Sequence, residues 1–241
     1  MLTFNTRELF PLASDLTYLN HGGFGATPKC VLEEKKRILD EIEKNPVDFL
    51  AHKIKAAWHH VADKIAGRFA LEPGSLAIVD NATDGIEAVL RAQRLKEGDE
   101  ILTTSMTYGA VAMAAQHIAE KQRARTTLAE LRFPDPDPQQ CIDAVARAIT
   151  TRTKLAILDH ITSAMALLMP LKEMIAACHD QGVPVLVDGA HAPGQIALDI
   201  SDLNPDWYVG NLHKWCFVPR GCGFLWATPG KQDGLMPNVL S

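Results

Sequence analysis

The feature that most constrains the fold is an alternation of short, apolar runs with longer amphipathic stretches. Seven runs have the length and composition of β-strands: residues 76–79, 100–103, 125–131, 154–159, 184–187, 206–209 and 222–226. Apolar residues recur at intervals of three and four in four stretches that predict helices: residues 83–96, 108–121, 138–149 and 170–181. Two more helices are predicted over 28–44 and 46–69, each opened by a proline suited to a first helical turn. This order predicts an α/β fold with one seven-stranded, mostly parallel sheet and helices on both faces.

Composition limits the classes of partner. With 241 residues, 47% of them hydrophobic, the chain can bury one sizeable core. The 24 basic and 29 acidic residues are spread along the chain without a basic stripe, so nucleic acid is not an expected partner. No apolar run approaches the roughly 18 residues that cross a bilayer, and the N-terminus lacks a signal-peptide pattern. We therefore expect a cytoplasmic protein without a membrane segment.

The cysteines and histidines do not indicate a metal site. The five cysteines are widely separated, without a C-x-x-C pair, and the adjacent His59 and His60 do not have the spacing that zinc prefers. Free cysteines usually behave as small hydrophobic residues. No metal is expected.

Candidate site residues follow the strands, where ligands bind in open parallel sheets. The segment from Asn81 to Thr83 opens a helix whose free N–H groups would attract a phosphate. Tyr108 begins the next helix and could cover a flat ligand, and Ser163 follows the fourth strand. Taken singly, these residues are equally compatible with a helix cap, a packing aromatic and a polar strand end.

Two further positions are more informative. The buried run 185–187 ends directly in Asp188, and a carboxylate there is costly without a partner such as a cationic ring nitrogen. Lys214 lies among apolar and aromatic neighbours after the sixth strand, which favours the lowered pKa that Schiff-base chemistry requires. Alone, Asp188 could cap a turn and Lys214 could be a surface charge. Their occurrence together with a phosphate-type helix start predicts one site at one edge of the sheet.

These residues resemble a known family, the class V aminotransferases of fold type I among pyridoxal-5′-phosphate (PLP) enzymes, and most closely its isopenicillin N epimerase-like branch. The resemblance is carried by the following segments: YLNHGGFG at 18–25, NPVDF at 45–49, NAT at 81–83, YGA at 108–110, VDGAHAPG at 187–194, GNLHKW at 210–215 and PRG at 219–221. It covers essentially the whole chain. The spacing from Asp188 to Lys214 also matches cysteine desulfurases, so the resemblance is more specific for the cofactor than for the reaction.

The resemblance implies catalytic roles for three residues. Lys214 would hold PLP as a Schiff base and later move the α-proton of the substrate. Asp188 would pair with the pyridine nitrogen, and His191 would lie near the phenolic oxygen of the ring.

It also implies binding roles. The backbone of Ala82 and Thr83 and the side chains of Asn211 and His213 would hold the phosphate. The remaining matched positions are Tyr108, stacked on the ring, Ser163, near the phenolic oxygen, and Asn20 and His21, near the substrate.

The sequence departs from the family pattern in two places. Ser163 is followed by Ala164-Met165-Ala166 where relatives have a turn resembling Pro-Thr-Gly. Relatives also continue for over a hundred residues with a small C-terminal domain that carries an arginine for the substrate carboxylate. We therefore expect an N-terminal arm over 1–16 and an incomplete PLP-binding large domain over 17–241, with the small domain absent.

The implied function is that of an enzyme of the epimerase or aminotransferase type, acting on an amino acid or a small molecule that contains one. Two alternatives stay open: a PLP-dependent C–S lyase or cysteine desulfurase, and a catalytically impaired fragment that keeps the PLP-binding fold. Relatives are homodimers, which predicts self-association.

Overall fold

The computed structural model describes residues 6–132 and 137–239. Residues 1–5 of the predicted arm, and residues 133–136, 240 and 241 of the predicted domain, lie outside this part. No helix in the described part is both long enough and apolar enough to cross a bilayer.

The strands form one seven-stranded sheet. Their bounds are β1 Leu76–Val79, β2 Glu100–Thr104, β3 Arg125–Ala129, β4 Thr153–Asp159, β5 Val185–Asp188, β6 Trp207–Asn211 and β7 Gly223–Ala227. The order across the sheet is β1-β7-β6-β5-β4-β2-β3, and β7 is antiparallel to both of its neighbours. The neighbouring pairs from β6 to β3 are parallel. The prediction of an α/β fold with a mostly parallel sheet is confirmed.

Within residues 6–132 and 137–239, three α-helices precede the sheet and five connect its strands. Those before β1 are α1 His21–Phe24, α2 Lys29–Lys44 and α3 Ile54–Arg68, and those between strands are α4 Ala82–Ala92, α5 Gly109–Lys121, α6 Pro138–Ala148, α7 Leu171–His179 and α8 Ile200–Leu203. The continuous helix predicted over 46–69 is wrong at its start, because Asp48–Lys53 forms a π-helical turn before α3 begins. The short helices α1 and α8 were not predicted, since four residues are too few to show helical periodicity.

The core has two layers because alternate residues of each buried strand face opposite sides. In β4, Leu155 and Ile157 pack with α4 and α5, whereas Ala156 and Leu158 pack with α3, α6 and α7. All four side chains have no exposed surface. Burial of each leucine or isoleucine contributes about 1.5–3 kcal/mol, which holds the sheet rigidly between its helices. The parallel strands therefore end at one fixed edge.

Candidate active site

A cleft of about 740 Å³ lies beyond the carboxyl edge of the parallel strands. Nine predicted site residues line it: Ala82, Thr83, Tyr108, Ser163, Asp188, His191, Asn211, His213 and Lys214. The connections after β2, β4, β5 and β6, together with the start of α4, bring these residues together. The structure thus collects at one place residues that lie as far apart as positions 82 and 214.

Lys214 lies in the turn after β6 and is only 9% exposed. Its Nζ is 3.0 Å from Nε2 of His191. Burial lowers the pKa of Lys214, and the negative charge of Asp188 opposes this shift. The pKa of His191 is lowered to about 4, first by burial and then by the charge of Lys214. A neutral His191 can therefore accept a hydrogen bond from Lys214 and orient its amine.

Asp188 ends β5 and is 5% exposed. Burial raises the pKa of its carboxyl, while the N–H of Ala190, which donates to Oδ1 at 3.0 Å, and the charge of Lys214 lower it. The backbone is held from both sides: His160 N–H donates to the carbonyl of Asp188, and Gly189 N–H donates to that of Val209, both at 2.9 Å. The Asp188 carboxyl is thus held in a fixed position. Because a buried negative charge is costly without a partner, a cation bound in the cleft would stabilise it.

The start of α4 differs from the predicted phosphate cradle. Asn81 caps the helix through Oδ1, which accepts from Asp84 N–H at 3.0 Å. Ala82 N–H donates to Oδ1 of Asn211 at 2.8 Å, so these two groups, both predicted to hold phosphate, bind each other. Among the described residues, the N–H of Thr83 has no such partner and stays available to an anion.

His213 also has one nitrogen committed. Its Nδ1 donates to the carbonyl of Cys222 at 3.1 Å, so Nε2 is the ring atom left for a ligand. Burial lowers the pKa of His213, as do the charges of Lys214 and Arg220. A bound anion would raise the pKa of His213, so that its Nε2 would be protonated and could donate a hydrogen bond to the anion.

Tyr108, predicted to stack on the ring, and Ser163, predicted to lie near its phenolic oxygen, are more exposed than Lys214 and Asp188. Tyr108 precedes α5 and is 47% exposed, with its side chain on the cleft. Ser163 is exposed in the same lining. The loop after Ser163, expected to differ from the family turn, is closed by Thr162, whose hydroxyl accepts from Leu167 N–H at 3.0 Å.

Asn20 and His21, predicted near the substrate, are not in the cleft lining. Nε2 of His21 donates to the carbonyl of Lys214 at 2.8 Å, and its Nδ1 accepts from Ala26 N–H at 3.4 Å. Both ring nitrogens are therefore used to hold the N-terminal segment on the lysine loop. The adjacent residues 22–24 line the cleft instead.

The sequence analysis assigned no site role to three charged residues of the lining, Asp80, Asp159 and Arg220. Arg220 holds the N-terminal segment by donating to the carbonyl of Gly25 at 3.0 Å. Asp159 ends the buried strand β4 as Asp188 ends β5, so the same signal of a carboxyl at a buried strand end could have found it.

Comparison with known proteins identifies the family. Residues 17–239 match the family model described as Aminotransferase class-V. The chain belongs to the class V aminotransferase family. In this family member, the predicted fold type I architecture is confirmed.

Two curated relatives illustrate the range of reactions. This class V aminotransferase-family chain is 31% identical over 225 residues to isopenicillin N epimerase of Streptomyces clavuligerus, covering 92% of this chain and 56% of that protein. It is also 31% identical over 238 residues to the L-cysteine desulfhydrase-like protein lolT1 of Epichloe uncinata, covering 97% and 52%. The chain thus spans about half the length of the curated relatives that it matches.

Two solved structures of the cystine C–S lyase C-DES are similar to this family member. One is a mutant with glycine covalently linked to the PLP cofactor; it has a TM-score of 0.88 and 28% identity, covering 98% of this chain and 62% of that chain. The other is a complex with cysteine persulfide, with the same TM-score and identity, covering 96% and 62%.

Proposed function

We propose that this chain binds PLP covalently through Lys214 and acts on amino acids or small molecules that contain one. The observation that carries the proposal is the arrangement of Lys214, His191 and Asp188 in one cleft. The buried amine of Lys214 has a lowered pKa and lies 3.0 Å from the neutral imidazole of His191. The negative charge of the buried Asp188 carboxyl acts on the same amine. This combination suits an amine that must react with an aldehyde.

The two ends of the cleft suit the two ends of PLP. Thr83 N–H and His213 Nε2 would bind the phosphate, supported by the positive end of the α4 dipole. Asn211 acts on this site by fixing Ala82 at the start of α4. Asp188 would face the ring nitrogen, and Tyr108 would cover one face of the ring.

When bound, PLP supplies an electron sink for a bond broken at the α-carbon of an amino acid. Lys214 is the group that would take the α-proton, at Nζ, once the substrate amine has displaced it from the cofactor. His191 accepts a hydrogen bond from Nζ and so fixes its direction. A proton delivered to the opposite face by a second donor would invert the α-carbon, whereas departure of a substituent from the β-carbon before a proton returns would give elimination.

A reconstitution titration tests the proposal. PLP added to the chain should give an absorbance band of the covalently bound cofactor, and borohydride reduction followed by peptide mapping should locate it on Lys214. Lys214→Ala should lose the band. Lys172→Ala is the matched control, because Lys172 lies exposed on α7 in an ion pair with Asp202. Labelling of a different lysine would overturn the assignment.

The candidate reactions are epimerisation or transamination on one side and C–S bond cleavage on the other. Within the described residues, the cleft lining contains no cysteine, and burial raises the pKa of the nearby thiols of Cys216 and Cys222. These facts favour direct β-elimination over sulfur transfer to a cysteine of the described part. Sulfide and keto acid released from cysteine, or cysteine persulfide and keto acid released from cystine, would identify a lyase, and racemised product would identify an epimerase. Covalent PLP binding without turnover would favour the impaired fragment.

A further inference from the structure

Asp159 is a buried acid for which the proposed function has no use. It ends β4 in register with Asp188 at the end of β5, so both side chains face the same side of the sheet. Adjacent strands lie about 4.8 Å apart, which brings the two carboxyls together. Asp159 is 4% exposed, lines the cleft, and its Oδ2 is buried without a hydrogen-bond partner among the described residues.

The contacts of Asp159 lie on the β2 side of the cleft. The hydroxyl of Thr107 and the backbone of Tyr108 bear on its carboxyl and lower its pKa, but burial and the charge of Asp188 outweigh them and raise the pKa well above its usual value. Thr107 is itself fixed, because its hydroxyl accepts from Thr104 N–H at 3.0 Å. Asp159 therefore connects Asp188 with the segment that carries Tyr108.

The surrounding groups leave Lys214 as the cation that compensates negative charge on the pair. The other titratable side chains that line the cleft are those of Asp80, Tyr108, His191, His213, Lys214 and Arg220. His160 and Tyr208, which contact each other at 2.9 Å, are buried next to the two strand ends. Burial lowers the pKa of His160 and of His191 to about 4 and raises that of Tyr208, so all three are neutral. The positive charge of Arg220 acts on His213 and lowers its pKa. Lys214 and the N–H of Ala190 favour charge on Asp188 rather than on Asp159.

We propose that Asp159 is a neutral carboxylic acid that leaves Asp188 as the charged member of the pair, keeps the pair at a single negative charge, and positions Tyr108. The proposal rests on the proposed function for the ligand, since one negative charge matches one protonated ring nitrogen of PLP. Asp159 acts through Asp188 and Tyr108 and is a positioning residue. Protonation removes the negative charge from the buried, unpartnered Oδ2, where a carboxylate would be costly.

The free chain tests the protonation state. A carboxyl whose folded pKa is raised stabilises fully below its unfolded pKa, and this contribution is lost as the pH rises through the folded pKa. Asparagine does not titrate, so Asp159→Asn does not lose stability as the pH rises. The variant should therefore melt at a higher temperature than the wild type at neutral pH, and this difference should shrink as the solution is acidified. Asp40→Asn, on the exposed face of α2, is the control and should show no such pH-dependent difference. A lower melting temperature for Asp159→Asn at every pH would overturn the proposal.

The loaded chain tests the positioning role. Asparagine keeps a donor and an acceptor at position 159, so the dissociation constant for PLP should stay within about threefold of the wild type, whereas Asp159→Ala and Asp188→Asn should each weaken it by roughly tenfold or more. If Asp159→Asn is as weak as Asp188→Asn, Asp159 carries the charge and the proposal fails. If the wild type does not bind PLP, the proposed function fails, and the melting experiment still decides the protonation of Asp159.

Discussion

At the scale of single residues, the contact between Lys214 and His191 controls when the lysine can react. Burial is the main cause of the lowered pKa of Lys214, and His191 supplies part of that cover. His191→Ala admits water beside Nζ, so the pKa of Lys214 should rise. Because the neutral amine reacts with aldehydes, the pH midpoint of covalent PLP capture should rise by about one unit.

Absorbance stopped-flow measured over a pH series gives this midpoint. His191→Gln is the control, since it keeps a hydrogen-bonding group and most of the volume, and it should move the midpoint less than alanine does. An unchanged midpoint in His191→Ala would mean that the imidazole does not shield the lysine.

Gly189 permits the close packing behind Asp188. A Cβ at this position would overlap the ring and hydroxyl of the fully buried Tyr208, which His160 Nδ1 contacts at 2.9 Å. Gly189→Ala should therefore destabilise the chain by about 1–3 kcal/mol through overpacking and also weaken PLP binding. Gly109→Ala is the matched control, because a Cβ there meets no atom within 4 Å. Urea unfolding of the two variants should separate them; equal midpoints would contradict this packing argument.

The sequence predicts single site residues well where a strand end determines their position. Lys214, Asp188 and Tyr108 reach the cleft because each lies at or shortly after the end of a buried strand. The pairing of Ala82 with Asn211 depends on the β6 end lying beside the start of α4, which follows from the order of the sheet rather than from local sequence. For the same reason, the role of His21 on the lysine loop could not be predicted.

At the scale of elements, the strands were predicted to within two residues, whereas helix ends were less certain. The helix predicted to reach residue 96 ends at Ala92, because Leu95 N–H donates to Gln122 Oε1 and Lys96 N–H to Asp99 Oδ2. These side chains satisfy backbone groups that a longer helix would have used. Apolar spacing alone carries no information about such competing partners.

Glu100 joins three strands at the edge opposite the cleft. It lies at the start of β2 with no exposed surface and binds Arg125, adjacent to it on β3, at 2.6 Å and Arg152, just before β4, at 3.2 Å. Thr150 donates to its other oxygen at 2.6 Å. Burial raises the pKa of Glu100, but Thr150 and the two arginines outweigh burial and hold the pKa below its usual value.

Glu100→Gln should lower the free energy of unfolding at neutral pH by about 1–3 kcal/mol. This loss is smaller than for a fully buried ion pair, because both arginines remain half exposed to solvent. A depressed folded pKa means that the stabilisation is present above the unfolded pKa and is lost as the pH falls through the folded pKa. The difference between wild type and variant should therefore disappear in acid. The exposed Glu97, 3.8 Å from Arg123, provides the control Glu97→Gln, which should leave the unfolding midpoint unchanged.

At the scale of the whole molecule, exposed apolar side chains support the prediction of self-association. Leu39 on α2 is 51% exposed and Trp58 on α3 is 64% exposed. Covering such residues releases water, which favours association with a second copy. Sedimentation velocity should show a dimer that Leu39→Glu weakens, whereas Thr151→Glu, at an exposed polar position in the turn before β4, should not. A monomeric wild type would contradict the prediction.

Buried carboxyl groups at the two edges of the sheet have pKa values shifted in opposite directions. At the edge away from the cleft, Glu100 has its arginines, and Asp206 is held by Lys231 and His179, each at 3.0 Å. Both have pKa values below the usual range, although burial acts against this. At the cleft, burial raises the pKa of Asp159 and Asp188, and compensating charge is incomplete. The fold therefore balances its charges at one edge and leaves negative charge for a ligand at the other.

This imbalance predicts that PLP stabilises the chain. A ligand that brings a cation to Asp188 and binds the folded state alone should contribute about 2.7 kcal/mol at a concentration one hundred times its dissociation constant, which raises the melting temperature by about 5–11 °C for a chain of this size. Scanning calorimetry with and without PLP measures the shift. Asp188→Asn should reduce it, because the ring nitrogen loses its charged partner, and inorganic phosphate, which lacks the ring, should give a much smaller shift than PLP. If phosphate stabilised the chain as much as PLP, the cleft would bind an anion, and the charge on Asp188 would have no ligand to match it.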